Sequence, residues 1–311
     1  MSVAPALRCE NLSRWYGEVQ GLAGLTVTIE HGIVGLLGPN GSGKSTLMRL
    51  LTGQIKANRG WVEIYGQRIV PGTYEIFRRV GHAPGEDVHF ETDRAVDFLR
   101  FMAALGGDST SQAKDRAEKA LDRVGMLVKA GVKLNAMSKG MRQRIKIAQA
   151  LLFEPDLLLL DEPLNGMDPV SRRSTMNLVR EWAGLGRTVI MASHVLHEVE
   201  GVTDRMLMLH HGRLLAEGRL TEIRELIDMK PRRASIRGEN LRVLAAELLA
   251  QELVIGLDFG ADGLLNLDTR NLPALLDRLQ EAGIHGQIHS LEIDDQELEM
   301  VYDLLVGGSA R

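Results

Sequence analysis

The run Gly38-Pro39-Asn40-Gly41-Ser42-Gly43-Lys44-Ser45-Thr46 sets four residues between two glycines and follows the second with Lys and a hydroxyl residue. Residues in that pattern bind phosphate: glycines let the backbone turn its N–H groups inward, and a helix starting there adds positive potential. Lys44 then supplies a point charge beside the β- and γ-phosphates, and the Ser45 hydroxyl can ligate Mg²⁺. A second acidic element, Asp161-Glu162-Pro163, ends an apolar run. Asp161 can hold Mg²⁺, directly or through water, while Glu162 can orient and deprotonate an attacking water. Together these residues describe Mg²⁺-dependent hydrolysis of a nucleoside triphosphate.

Both groups need strands and helices to position them. Residues 33–37 read as a strand running into the loop, and Leu47, Leu50 and Leu51 mark one face of the helix that leaves it. The continuous apolar run 157–160 reads as a buried strand, which places its two carboxylates where open α/β sheets bind ligands. Further strands are expected at 25–29, 61–64 and 80–83. From about 92 to 125 the period changes to that of helices, broken at 106–111. Helix and strand then alternate: helix 138–153, helix after Pro169, strand 188–192, helix from Val195, and strands 205–209 and 213–217 around a turn at 210–212. The expected fold is α/β, a P-loop NTPase core with a mixed, largely parallel sheet and a helical insertion. Beyond Lys230-Pro231 acidic residues outnumber basic ones and a separate pattern begins: strand, helix, hairpin at Asp262-Gly263, helix opened by Asn271 and closed by Gly283, strand, helix. The division is residues 1–229, with a helical subdomain at about 90–150, and a small α+β domain at 232–311.

Composition limits the remaining choices. The chain has 311 residues, a formal charge of −4, 44% apolar and 25% charged residues. That suits a folded chain of one large or two smaller domains. No apolar run approaches the roughly 20 residues of a spanning helix, and the start lacks the basic-then-apolar pattern of a secretory leader. The single Cys9 fits a reducing cytosol.

Beyond these elements, Met137-Ser138-Lys139-Gly140-Met141-Arg142-Gln143-Arg144 resembles the signature segment of the ATP-binding cassette ATPases, with Lys139 where Gly is more frequent. The likeness covers about residues 7–227. From the residues alone the segment is a helix capped by Ser138, with Met141, Ile145, Ala148 and Leu152 on one apolar face. The resemblance implies ATP as ligand, held between the phosphate loop of one subunit and Ser138 and Gly140 of a second, so that ATP joins the dimer and hydrolysis releases it. It implies that Tyr16 stacks on adenine, that Asn165-Gly166-Met167-Asp168 touches the opposite subunit's phosphate site, and that His194 contacts the γ-phosphate. After Gly81-His82-Ala83-Pro84 the family has Gln or Glu, whereas this chain has Gly85 followed by Glu86; Glu86 is the expected substitute near Mg²⁺. The family also implies a second ATPase subunit, expected to be a copy of this chain although the sequence leaves a heterodimer open, and an integral membrane permease docked on the helical insertion. The place of work is then cytoplasmic, at the inner face of the cell membrane, and the tail resembles that of single-cassette exporter ATPases of multidrug, antibiotic and lipid type.

An importer ATPase, or a soluble cassette ATPase acting on a macromolecule, are the alternative readings. The lone phosphate loop and the short 46–138 interval speak against ribosome-acting and DNA-repair members, the charge against a nucleic-acid partner, and the missing Asn-Lys-x-Asp against a GTPase. A silent regulatory module is disfavoured by Glu162 and His194. Other features read as inert: His194 with His197 lacks the acid of zinc-protease motifs, His210-His211 is a solvated turn, the methionines fill core gaps, and Arg142, Arg144 and Lys146 form a solvated helix face.

Overall fold

The computed structural model describes residues 4–70, 72, 74–86, 92–222, 232–260, 263–284 and 288–293. The chain divides into two compact units, Met1–Leu220 and Thr221–Arg311. In the first, an antiparallel sheet of order β2-β1-β4-β5 comprises β1 (Leu7–Tyr16), β2 (Val19–Ile29), β4 (Arg59–Ile64) and β5 (Gln67–Arg68). The sequence reading marks no strand at 7–16. Register shifts after Cys9 and around Leu12 and Arg14 break the alternation that would have revealed it.

A six-stranded sheet carries the rest. It comprises β3 (Ile33–Leu37), β6 (Val80–Ala83), β7 (Leu157–Asp161), β8 (Thr188–Ser193), β9 (Arg205–His210) and β10 (Arg213–Arg219), in the order β10-β9-β3-β8-β7-β6. All neighbours are parallel except β9 and β10, the expected hairpin. Strand β7 is buried on both faces because the side-chain period of two splits it between two cores. Leu157 and Leu159 join the core under β1, β2 and the first helix, while Leu158 and Leu160 join the core of the helical region.

Helix α1 (Lys44–Leu51) buries Leu47, Met48, Leu50 and Leu51. The insertion supplies α2 (Ala95–Leu105) and α3 (Thr110–Arg123), the latter started by a reciprocal Ser109–Gln112 capping box. These pack with α4 (Lys139–Leu151), followed by α5 (Pro169–Gly184) and the short α6 (Leu196–Glu200). The solvated face expected on α4 is corrected at one position: Lys146 is 2% exposed. Helix α4 has a second inward face through Gly140, Gln143, Lys146, Ile147 and Ala150, which a single apolar stripe does not reveal. Among the described residues no helix is long and apolar enough to cross a membrane.

The second unit runs β11 (Arg232–Gly238), α7 (Leu241–Ala250), β12 (Gly256–Phe259), β13 (Leu265–Thr269), α8 (Leu272–Ile284) and β14 (Ile288–Ile293). Its antiparallel order, β12-β13-β11-β14, is that of a split βαβ motif. Ala234, Ile236, Leu265 and Leu267 bury one sheet face against Leu244, Leu248, Leu275 and Leu279. Gly283 lies within α8 rather than closing it. The expected last helix and the Lys230-Pro231 boundary lie outside the described residues.

Candidate active site

Parallel register gathers the chemistry at one sheet edge. Leu37 pairs with Ser193 and Asp161 with Ala192, so β3, β8 and β7 end level with one another. Gly38, His194 and Glu162, each following its strand, therefore emerge together. From β3 the chain turns through Gly41 (φ 82°) and Gly43 (φ 109°) before α1 starts. A methyl on Gly43 would lie 2.6 Å from the Gly21 carbonyl, and one on Gly38 the same distance from that of Leu209. Only glycine fits this turn.

Lys44, the first residue of α1, is buried, and its Nζ donates to the carbonyls of Gly38 (2.6 Å) and Pro39 (3.2 Å). Glu162 Oε1 lies 3.6 Å from the same nitrogen. Burial pushes the ammonium pKa below its ordinary value, against the opposing pull of Glu162 and Asp161. Ser45 Oγ donates to Asp161 Oδ2 at 2.7 Å. Asp161 Oδ1 and Ser42 Oγ are buried and accept or donate no hydrogen bond within the structure.

Glu162 sits at φ 51°, a left-handed conformation that costs a non-glycine residue about 1 kcal/mol or more. Three bonds hold it there. Its N–H donates to the Ala192 carbonyl (3.0 Å), its own carbonyl accepts from Gln143 Nε2 (2.9 Å), and its Oε2 accepts from His194 Nδ1 (2.8 Å). The backbone turn swings the carboxylate away from the path of β7 and toward Lys44. Sequence reasoning missed Gln143; the available signal was its place three residues after Gly140, on the second inward face of α4.

Tyr16, 38% exposed at the end of β1, lies against Gly21, with the Arg14 guanidinium 5.0 Å from its ring centre. Tyr16, Asn40 to Thr46, Gly85, Glu86, Asp161 and Glu162 line one cleft of about 1110 Å³. Glu86 is 76% exposed at the side chain and its carboxylate accepts from Arg49 at 3.1 Å. Gly85 lies against Asp161: a methyl built on it would be 3.4 Å from Oδ2. Asp87 lies outside the described residues.

Ser138, Gly140 and Asp168 do not line this cleft. Ser138 caps α4, accepting from the Met141 N–H (3.3 Å). Gly140 packs so closely on the next loop that a methyl there would lie 3.0 Å from the Gly166 carbonyl, and Lys139 Nζ donates to Asn165 Oδ1 (3.1 Å). Asp168 caps α5, accepting from Val170 N–H, Ser171 N–H and Ser171 Oγ; the hydroxyl bond, first among these, holds its carboxyl below the usual range. The 138–140 start and the 165–168 loop thus form one continuous patch. Among the described residues no three His, Cys, Asp or Glu side chains cluster for a metal.

A strand, phosphate loop and helix with an adjacent Asp-Glu strand end define a P-loop nucleotide hydrolase. The ABC transporter family model matches residues 22–165. The linearmycin resistance ATP-binding protein LnrL of Bacillus subtilis (strain 168) is 30% identical, over 98% of this chain and 99% of that protein. The daunorubicin/doxorubicin resistance ATP-binding protein DrrA of Streptomyces peucetius is 29% identical over 98% and 93%. A solved ATP-binding subunit of an ABC transporter, 29% identical, superposes with TM-score 0.64 over 78% of this chain and 99% of that one. The dimeric cassette MJ0796, at 24% identity and TM-score 0.64 over 69% and 98%, shares the fold. The chain belongs to the ABC transporter ATPases: it is an ATP-binding, ATP-hydrolysing subunit of that class.

Proposed function

We propose that this subunit powers an exporter of antibiotic, drug or lipid-like molecules, through an integral membrane permease docked on its helical insertion at the inner face of the cell membrane. Support for export comes from relatives matched along the whole chain, tail included, whose names state resistance to linearmycin and to daunorubicin and doxorubicin. The observation that carries the chemistry is the convergence of Lys44, Ser45, Asp161, Glu162 and His194 on one sheet edge.

The inward N–H groups of 38–46 and the Lys44 ammonium bind the ATP phosphates, and Tyr16 stacks on the base. Mg²⁺ fits the donor set: Ser45 Oγ and the unpartnered, buried Asp161 Oδ1 are hard oxygens beside the phosphate loop. Bound there, the ion would neutralise charge on the phosphate oxygens. Glu162 takes the proton of the attacking water, and the His194 hydrogen bond aims its carboxylate. Lys44 stays beside the charge that develops on the transferred phosphoryl group.

Ser138, Gly140 and the loop to Asp168 lie outside the cleft of their own chain and, in this reading, meet the γ-phosphate held by a second copy. ATP then favours closure because it touches both copies, and ADP, lacking that phosphate, releases them. The test is gel filtration of the full chain with MgATP. Glu162→Gln should accumulate as a nucleotide-bound dimer while wild type returns to monomer. A Glu162→Gln chain that turns over normally, or stays monomeric with ATP bound, refutes the assignment.

A further inference from the structure

Among the described residues, the largest fully buried side chain is a lysine for which the mechanism above has no use. Lys146 is 2% exposed, and its Nζ donates to the carbonyls of Gly85 (3.2 Å) and Glu86 (3.3 Å). An ammonium group buried this deeply persists only where specific acceptors replace its water. The backbone it grips is the wall of the metal edge: a methyl built on Gly85 would lie 3.4 Å from both Cγ and Oδ2 of Asp161. Gly85 brings no side chain that could fix the segment, and the Glu86 side chain points to Arg49 on α1.

We propose that Lys146 is a positioning residue that holds the 85–86 backbone against Asp161 and so tunes the Mg²⁺ edge of the site. The inference rests on the reading of Ser45 and Asp161 as the Mg²⁺ ligands. Lys146 stands one helical turn beyond Gln143, whose amide holds the strained Glu162 backbone. Both walls of the hydrolytic centre, the general base and the segment over the metal carboxylate, therefore hang from one face of α4. That helix begins at Ser138, so any displacement of its start is carried to both walls as a rigid-body movement. The i,i+3 spacing places the two side chains on the same face. The Lys-to-carbonyl bonds are also directional: an uncharged chain of the same length fills the space without holding the loop.

The test uses the full-length chain as wild type, Lys146→Met, Lys146→Arg and, as a control on the site itself, Lys44→Ala. Three readouts apply: ATP affinity in EDTA and in excess Mg²⁺, kcat and KM for MgATP, and amide hydrogen exchange of the peptide spanning 80–86. In Lys146→Met the metal-free affinity should stay within twofold of wild type, since the 38–46 cradle is untouched. The affinity gained on adding Mg²⁺ should fall at least fivefold, kcat at least tenfold with KM for MgATP rising by no more than the lost Mg²⁺ gain, and exchange in 80–86 should quicken at least tenfold. Lys146→Arg, which keeps the charge and the donors, should recover most of each loss. If Lys146→Met does not purify folded, Lys146→Gln replaces it, with losses of the same direction. A folded Met or Gln variant with the wild-type Mg²⁺ gain and kcat overturns the proposal, as does an Arg variant no better than Met. Failure of the site reading looks different: wild type then binds no ATP, gains nothing from Mg²⁺, or is matched by Lys44→Ala.

Discussion

The cleft at the ends of β3, β7 and β8 and the open face of the C-terminal sheet are built from similar side chains, and they differ in how those side chains are satisfied. On the sheet face Arg233 donates to both oxygens of Asp268 (2.8 and 3.1 Å), Asn266 Nδ2 to Asp258 (2.8 Å), and Ser235 Oγ to Asn266 Oδ1 (2.7 Å). That network closes on itself. In the cleft, Ser42 Oγ, His82 Nε2, Asp161 Oδ1 and Glu162 Oε1 are buried without a hydrogen bond. Orphan atoms occur elsewhere, such as Trp182 Nε1 and Thr188 Oγ1, so one alone does not mark a site. What distinguishes the cleft is that four of them share one opening with a buried lysine. Polar groups left unmet at a low-dielectric edge are costly unless a ligand meets them. A face whose groups meet each other is structural.

The comparison breaks most visibly at Glu162. Glu162→Gln removes a proton acceptor without changing shape, so turnover should fall by roughly 10²–10⁴-fold with MgATP binding retained, as steady-state kinetics and equilibrium binding will show. Next is Lys44→Ala, which deletes a charge-assisted contact to phosphate of about 1.5–3 kcal/mol. Nucleotide affinity measured by calorimetry should drop by about tenfold or more, and unchanged affinity would remove the cleft from consideration. On the sheet face the effects are smaller. Asp268→Asn should leave ATP turnover unchanged and lower the stability of the C-terminal unit by about 0–1 kcal/mol at neutral pH. The Arg233 hydrogen bond holds the Asp268 carboxyl below its ordinary value. Its contribution is therefore complete above the unfolded pKa of about 4 and is lost as pH falls through the folded value. Melting curves of variant and wild type should differ at pH 7 and converge in strong acid. Least affected is Cys9, in neither region: burial pushes its thiol up to about 12. A maleimide at pH 8 should label the native chain far more slowly than the unfolded one, as mass spectrometry will register.

Much of this was legible in the residues. The phosphate loop, its flanking strand and helix, the Asp161-Glu162 strand end, the hairpin at 210–212 and the compact α+β tail all follow from local spacing. The misses have identifiable causes. Bulges in β1 hid its alternation. Lys146 was assigned to solvent because charge is a statistical guide to exposure, whereas two backbone carbonyls from a distant loop had prepared its place.

Sequence alone determined the turn after β3, since reversing a backbone that tightly is a local demand that Gly41 and Gly43 at positive φ and a helix start meet within a few residues. It could not settle which distant groups complete the site. That was decided by the parallel pairing of Leu37 with Ser193 and Asp161 with Ala192, which brings three strand ends level, and by the packing of α4, which turns Gln143 and Lys146 inward. Hydrogen-bond register and close packing act here between residues 19 to 156 positions apart, and no local pattern of residue types encodes them.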